Sequence, residues 1–589
     1  MATFPEITVA EALAELATTS AKDQGFTFIC GTGRSESFIS FEALASRVAE
    51  RAGVLIATGL GRGDHVVLVI PERQEFVLTF LGCLWAGIVP VPVAPPMGID
   101  QLTAYIERSR HIVHASKART LVTTAQLKAV SGSLLSNDLR KLETVEELGR
   151  DPSPRLDLAA PSPDSTAFLQ FTSGSTSRPK GVLLTHRNLT VNCHALAKSG
   201  MGMTVDDVLC SWLPFFHDFG LIGMVLAPIF TGSSAVYMPP LLFLKRPVEW
   251  LRAITRHQGT VSFAPNFGYS HCAKRVTDLD GLDLSRWRYA GCGAEPVRMS
   301  TLRSFSAKFE TVGFRPSAFT AGYGMAESTL AVSFDKSEDG PRYDSLHPAK
   351  LHAHGRAEPI DDADAIDVVC CGAPFEGHEA KAVDESGRTC PDRVIGEIAL
   401  KGPSVMSGYY DNPSATAAAI QDGWLHTGDL GYTVDGRIYI TGRKKEIIIV
   451  AGANYYPTDI EHAVSKLEGI RTGNVVAFGI SPREQDEALI VCAETSVPKE
   501  QHEALEIQVR SRVAQVIGLE IHDVVLIEAG TLPKTSSGKL QRCDVKAMYL
   551  GNRLSRRPRR DSKVTTLKHF SRSQLRLFWS KISAAVRSA

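Results

Sequence analysis

The residues best suited to chemistry follow Phe168-Leu169-Gln170-Phe171, an apolar strand-like run that breaks into Thr172-Ser173-Gly174-Ser175-Thr176-Ser177-Arg178-Pro179-Lys180-Gly181-Val182. Glycines let backbone N–H groups approach an anion, the hydroxyls add neutral donors, and Lys180 adds a point charge. Such a loop can wrap the β- and γ-phosphates of a nucleotide. The Gly-x4-Gly-Lys-Ser/Thr spacing of the Walker loop is absent. A Ser/Gly linker is the alternative for this composition, and the strand and lysine that flank the run argue against it.

Five further segments carry reactive or ring-binding residues. Ser211 to Gly220 places His217 and Asp218 where an apolar strand ends in a loop, a place for a catalyst and equally for a satisfied structural histidine. Gly291-Cys292-Gly293-Ala294-Glu295-Pro296 offers backbone and small side chains to a flat ring, or is a plain tight turn. Ala321-Gly322-Tyr323-Gly324-Met325-Ala326-Glu327 joins an aromatic able to stack on a base to a carboxylate. Mg²⁺ takes one or two carboxylates together with phosphate oxygens, and Glu327 suits that, unless it lies on a solvated helix face. Asp429, in Trp424-Leu425-His426-Thr427-Gly428-Asp429, is a turn carboxylate suited to accepting both ribose hydroxyl protons. Thr531 to Leu540 is a second glycine and lysine loop, ending on Lys539. Two such loops far apart in the chain suggest that one lysine is delivered when domains close.

The elements that must position these residues read as an α/β protein. Helical spacing over Phe41–Leu60, a strand at Val66–Ile70, a helix at Gln74–Trp85 and a strand near Ile88–Val91 make a β-α-β unit. Strand-like runs without alternation recur around 119–123, 208–212, 235–238, 260–264 and 288–290, as in parallel sheets covered on both faces. After Gly442-Arg443-Lys444-Lys445 the texture becomes that of a small α+β domain, with helices at Pro457–Leu467 and Gln501–Ile517 and strands near 474–480, 488–494 and 523–527. The expectation is a large multi-lobed N-terminal domain of mixed sheets flanked by helices over 1–442, a small mobile C-terminal domain over 443–550, and a basic tail over 551–589.

Composition excludes several classes. With 589 residues, 64 Lys+Arg and 64 Asp+Glu, the chain can bury a large core and presents no global field to attract nucleic acid. Its eleven cysteines include no Cys-x-x-Cys pair, only the adjacent Cys370-Cys371, which implies a reduced, cytoplasmic setting. Met1 to Leu16 lacks a basic leader and apolar run, and glycines and prolines divide Phe76–Ala94, so neither a signal peptide nor a membrane span is expected.

Taken in order, Thr172 to Gly181, Tyr323 to Glu327, Thr427-Gly428-Asp429, Gly442-Arg443 and Pro533-Lys534 through Gly538-Lys539 resemble the core motifs of the adenylate-forming superfamily of acyl-CoA synthetases, luciferases and adenylation domains. Trp212-Leu213-Pro214 with His217-Asp218, Ala264-Pro265-Asn266-Phe267, and Asn454 to Glu461 are most similar to the fatty acyl-AMP ligase branch. The resemblance implies ATP and Mg²⁺, a fatty or other carboxylic acid, and an acyl carrier protein as acceptor, with an acyl-CoA ligase as the second reading and a non-catalytic acyl-nucleotide binding module as the third. It implies that Thr172 to Lys180 hold pyrophosphate, that Glu327 ligates Mg²⁺, and that Tyr323, with Gly324 and Met325, stacks adenine beside Gly293, Ala294 and Glu295. Asp429 and Arg443 would bind ribose, Asn266, Phe267 and Gly322 would line the acyl site beside His217, Lys445 would be the hinge, and Lys539 would bridge carboxylate and α-phosphate.

Two regions complete the reading. Asp335 to Asp367, polar and with little periodicity, has the character of a long structureless insert, or is an ordinary surface loop; the resemblance implies that such an insert hampers the swing of the small domain. Ser177, Phe219, Gly322 and Ala451 depart from the family pattern and bear on acyl-chain shape and CoA exclusion. In the tail, eleven Lys/Arg from Arg553 to Arg587 face the single acid Asp561, and Leu575, Phe578, Trp579, Ile582 and Val586 fall at helical spacing. That pattern suits a carrier-docking helix or a peripheral membrane contact, or a tail that is disordered or packs on its own domain.

Overall fold

The computed structural model describes residues 4–31, 33, 35–96, 102–135, 139–149, 159–172, 179–362, 365–450, 453–480, 488–534 and 539–554. Ser173, Gly174, Ser175, Thr176 and Ser177 of the first loop, Ala451, the 535–538 stretch of the second loop, and the tail from 555 lie outside these residues.

The fold is α/β, with a large N-terminal and a smaller C-terminal lobe. Apolar runs that lack alternation become parallel strands buried on both faces. One sheet has eight strands in the order Ala331–Asp335, Phe319–Gly324, Tyr289–Cys292, Val261–Ala264, Val208–Ser211, Ser234–Tyr237, Gly25–Cys30 and Ser35–Ser40. Its interior pairings are parallel, and its two edge strands run antiparallel to their neighbours. A second, wholly parallel sheet contains the β-α-β unit: Val89–Pro92 and His65–Leu68 pair in parallel around the helix Arg73–Ala86. Gly87, at φ 72°, ends that helix in the left-handed conformation that glycine supplies without strain. A five-stranded antiparallel sheet ends in Arg437–Arg443, and from Ile448 onward the chain builds a separate core around Ile460, Val464, Val491, Val509 and Val513. Among the described residues no helix is long and apolar enough to cross a membrane.

The segment between Asp335 and Asp367 is not the structureless loop expected of it. Tyr343–Leu346 pairs with Ile366–Val369, and Pro348–His354 is a helix between them. Elements of four to seven residues are too short to register as periodicity. They are ordered because Leu346, Leu351 and Ala357 join Tyr432, Tyr439 and Tyr456 in one buried cluster. The same helix presses on the smaller lobe: the His352 ring lies 5.2 Å from Tyr455 and 5.7 Å from Tyr456, and its Nδ1 is 3.2 Å from the Asn454 carbonyl.

Candidate active site

The phosphate-binding candidate is the turn of a hairpin. Thr166–Phe171 and Gly181–Thr185 pair antiparallel, and the Thr172 N–H donates to the Lys180 carbonyl at 3.0 Å, which pinches the ends of the loop together. On the far edge, Tyr409 pairs with Val182, and its hydroxyl donates to Glu327 Oε1 at 2.7 Å. The Lys180 ammonium sits 4.1 Å over the Tyr409 ring, a cation–π contact. Burial raises the Glu327 pKa, and the Tyr409 hydroxyl opposes it. Burial likewise lowers the Lys180 pKa, Lys445 adds to that effect and Glu327 opposes it. Loop base, carboxylate and joint are therefore electrostatic neighbours. Lys445 itself lies in a 3-10 turn, Lys444–Glu446, at the junction between the lobes.

Backbone strain surrounds Glu327. Thr329, a β-branched residue, has φ 72° and ψ −63°, the geometry of a rare γ-turn. Its hydroxyl donates to the Ser404 carbonyl at 2.6 Å in a fully buried setting, which holds the turn in place. Gly324 is required on the other side, since a Cβ there would lie 1.8 Å from the Leu330 carbonyl oxygen.

Tyr323, Asp429 and Arg443 form one unit. The Tyr323 hydroxyl donates to Asp429 Oδ2 at 2.8 Å, and Arg443 Nε is 3.1 Å from Asp429 Oδ1. Asp429 and Arg443 are register partners on neighbouring strands, so backbone pairing sets the ion pair. Burial raises the Asp429 pKa against the pull of Arg443 and Tyr323. Each carboxylate oxygen keeps a second acceptor site, so the group can still receive hydroxyl protons. Tyr323→Phe keeps the ring and removes this donor. We expect it to lower unfolding stability by about 1–3 kcal/mol, read from the denaturant midpoint.

Lys539 enters this assembly from the smaller lobe. Burial lowers its pKa, and Asp218, Glu295 and Asp429 of the larger lobe oppose that, with Arg443 also within electrostatic range. Two contacts fix the approach. Glu494, fully buried, accepts from the Leu532 N–H at 2.9 Å and pairs with Arg471 at 2.7 Å, which anchors the start of the second loop. At its end Arg542 pairs with Glu446 and, at 2.8 Å, with Glu461. That pair ties the lysine loop to the residue after Lys445. Sequence reasoning missed both contacts, as it missed Tyr409, because each joins residues remote in the chain.

The remaining candidates line the larger lobe's side. His217 Nδ1 lies 2.5 Å from Asp218 Oδ1 at the start of a short helix. Burial raises the Asp218 pKa, but His217 and Lys539 outweigh it and hold the carboxyl below its usual range. Glu295 Oε1 accepts from the Phe267 N–H at 2.7 Å, which caps the helix Asn266–Arg275. Burial raises the Glu295 pKa, opposed by that bond and by Lys539. Asn266 commits its amide to the Arg298 N–H at 3.0 Å and the Thr301 hydroxyl at 3.3 Å, and the Phe267 ring stands 5.7 Å from Trp212. Ala294 has φ 63°, and Gly293 and Gly322 permit close approach, since a Cβ on Gly293 would lie 2.9 Å from the Gly322 oxygen. Met325 precedes the turn that carries Glu327, and its backbone N–H meets the Ser328 hydroxyl at 3.2 Å.

The geometry is matched by known proteins. A model of the AMP-binding enzymes covers residues 16–410, and a model described as the Disco-interacting protein 2-like AMP domain covers 445–558. The chain is 34% identical to the medium-chain-fatty-acid–acyl-carrier-protein ligase JamA of Moorena producens, over 90% of this chain and 92% of that one. A structure from work on fatty acyl-adenylate ligases from E. coli and L. pneumophila superimposes with a TM-score of 0.87 at 33% identity, covering 93% of this chain and 99% of that one. A fatty acyl-adenylate ligase from L. pneumophila, solved with acyl adenylate and pyrophosphate, gives a TM-score of 0.70 at 31% identity, covering 92% of this chain and 96% of that one. With a glycine and lysine loop, a buried carboxylate beside it and a second lysine brought in by the smaller lobe, the chain belongs to the AMP-binding enzyme family.

Proposed function

We propose that the chain activates a fatty or related carboxylic acid with ATP, releasing pyrophosphate, and passes the acyl group from the adenylate to the phosphopantetheine arm of an acyl carrier protein. The observation that carries this reading is the convergence of Lys539 with Asp218, Glu295, Asp429 and Arg443. The similarity to an acyl-carrier-protein ligase supports the acceptor.

In this reading a carboxylate attacks the α-phosphate in line, and negative charge accumulates on the phosphorus oxygens and on the departing diphosphate. Lys539 stands between the incoming carboxylate and that phosphate, where a fixed cation stabilises the developing charge with no reorganisation at the moment of reaction. Lys180 and the Thr172 to Lys180 loop receive pyrophosphate, Asp429 and Arg443 orient the ribose, and the Tyr323 ring with Gly293, Ala294 and Glu295 frames the base. Glu327 fits Mg²⁺: it is a buried oxygen donor whose Oε1 is steadied by Tyr409. No group of three or more His, Cys, Asp or Glu among the described residues forms a cage, which accords with a cation that relies on one carboxylate, phosphate oxygens and water. When bound, Mg²⁺ supplies charge neutralisation on the phosphates. A reduced, cytoplasmic setting belongs to the same reading, since all eleven cysteines are unpaired thiols.

The choice of carrier over free CoA is supported by the helix Pro348–His354 lodged on the smaller lobe. A swing about Lys445 must break the His352 stack. A ring contact of about 0.5–1.5 kcal/mol corresponds to a factor of roughly 2–10 in opening. His352→Ala is therefore expected to raise CoA thioester formation by that factor while leaving adenylation unchanged. The deciding assay offers a panel of acids with ATP and either CoA or a carrier, and identifies the products by mass. Turnover driven by CoA as strongly as by carrier would make the chain an acyl-CoA ligase instead.

A further inference from the structure

The helix His186–Cys193 follows the strand Gly181–Thr185 with no residue between them, so it is joined directly to the strand that Lys180 precedes. Asn188 and Asn192 lie four apart on this helix and therefore share a face. Both are buried, Asn192 completely. Asparagine is a modest helix former and a buried carboxamide costs desolvation, so two of them in one short helix call for a partner at each polar atom. Those partners are present. Asn188 Oδ1 accepts from the Thr185 N–H at 3.0 Å and the Thr185 hydroxyl at 2.9 Å, and its Nδ2 donates to the Pro403 and Val405 carbonyls at 2.9 and 3.2 Å. Asn192 Nδ2 donates to the Ala331 and Ser328 carbonyls at 2.8 and 3.3 Å, and its Oδ1 accepts from the Ala331 N–H at 3.4 Å.

The two side chains grip different segments, and those segments meet at Glu327. Asn192 brackets the strained Thr329, since it binds the residue before it and both backbone groups of Ala331, two residues after it. A turn of this kind persists only where its surroundings over-determine it. From the other side, the segment held by Asn188 offers the Ser404 carbonyl to the Thr329 hydroxyl at 2.6 Å and the Met406 N–H to the Glu327 carbonyl at 2.8 Å. Three residues further on, Tyr409 pairs with Val182 and donates to the Glu327 carboxylate. Backbone and side chain of Glu327 are thus both tied back to the strand and helix that follow Lys180. A buried polar network with its groups satisfied specifies one arrangement.

We propose that Asn192 is a positioning residue: it fixes the strained Glu327 turn to the helix behind Lys180, so that carboxylate and loop base form one rigid unit whose spacing is set before nucleotide arrives. The inference rests on the function proposed above, in which Glu327 holds Mg²⁺. Mg²⁺ demands near-ideal octahedral geometry and takes phosphate oxygens along with a carboxylate, so its affinity depends closely on how the two are spaced. Removing a group that orients a metal ligand typically lowers metal affinity ~10–100-fold. Asn192, fully buried behind the turn, acts through Thr329 and Glu327.

Calorimetric titration of the full chain with pyrophosphate, with and without Mg²⁺, tests this together with hydrogen exchange of the free protein. In Asn192→Ala the Mg²⁺-free affinity for pyrophosphate is expected to stay within a few-fold of the wild type, while the gain in affinity that Mg²⁺ confers falls about tenfold. The amides of residues 328–331 are expected to exchange about tenfold faster, with those of Gly181–Thr185 unchanged. Asn192→Ser, too short to reach both carbonyls, is expected to act in the same direction and covers an alanine variant that fails to fold. A residue that only stabilised the lobe would lower the unfolding midpoint and leave the Mg²⁺ gain intact, so an intact gain in the folded variant overturns the proposal, as does unchanged exchange at 328–331. A wild type whose pyrophosphate affinity Mg²⁺ does not raise removes the role of Glu327 and this proposal with it, whereas an equal gain in wild type and variant removes the inference alone.

Discussion

Lys539→Ala is expected to slow acyl-adenylate formation by ~10²–10³ while leaving ATP binding within a few-fold of the wild type. The lysine reaches the site from the smaller lobe, whereas the contacts assigned to the nucleotide come from Lys180, Asp429 and Tyr323 of the larger one and from Arg443, which ends a strand of the larger lobe's sheet although the small domain was expected to begin there. Ground-state binding can therefore survive without it. The transition state carries more charge on the phosphate and the departing diphosphate than the ground state does, so a fixed ammonium contributes chiefly there. The acids around Lys539 sharpen the expectation. Burial draws its pKa down, and Asp218, Glu295 and Asp429 counter that and favour the charged form. Substitution removes a cation from among three carboxylates and turns the field negative where an acid must approach. Pyrophosphate exchange reads the chemical step and equilibrium binding of a fluorescent nucleotide reads the ground state. Exchange at near wild-type rate in the alanine variant would remove Lys539 from the mechanism.

The legible parts of this protein were those written locally. Apolar runs without alternation marked the parallel strands, and the first β-α-β unit lies within two residues of its expected limits because Gly87 and the turn at Gly61-Arg62-Gly63-Asp64 punctuate it. After Arg443 a 3-10 turn, Lys444–Glu446, intervenes before the next strand begins at Ile448. Asp429 and Arg443 were grouped only by the resemblance, and the strand register that makes them neighbours could not be read from their spacing. What escaped was non-local. Tyr409 reaches Glu327 across 82 residues, and Arg542 reaches Glu446 and Glu461 across 96 and 81. No spacing rule links such partners, and a Tyr or Arg in a loop or at a helix start gives no sign that its side chain is inward. The insert escaped for a different reason: its order comes from burial against Tyr432, Tyr439 and Tyr456, and its own short elements carry no periodic signal.

Arg542→Met is expected to destabilise the smaller lobe by about 3–5 kcal/mol, the cost of leaving a buried ion-pair network without one partner. The three side chains are 14%, 15% and 12% exposed for Arg542, Glu446 and Glu461, so water does little to solvate the stranded carboxylates. Glu461 Oε1 retains one donor, the Ala477 N–H at 3.0 Å, and Glu446 keeps Arg443 within electrostatic range, but both lose the guanidinium that bridges them. The lobe has its own hydrophobic core, so the loss should appear as an early unfolding transition of roughly the residues after 446, with the transition of the larger lobe unmoved. A mere packing defect would give the same shift in any background. A charge network would not: adding Glu446→Gln and Glu461→Gln to Arg542→Met removes the stranded charges and should recover much of the stability. The functional consequence separates further. Because Arg542 connects the loop of Lys539 to the residue after Lys445, the triple variant should refold the lobe yet still adenylate more slowly, its kcat reduced and its KM for ATP little changed. Recovery of stability together with full kcat would show that Arg542 only holds the lobe together; a triple variant as unstable as Arg542→Met would show that charge is not what the arginine contributes.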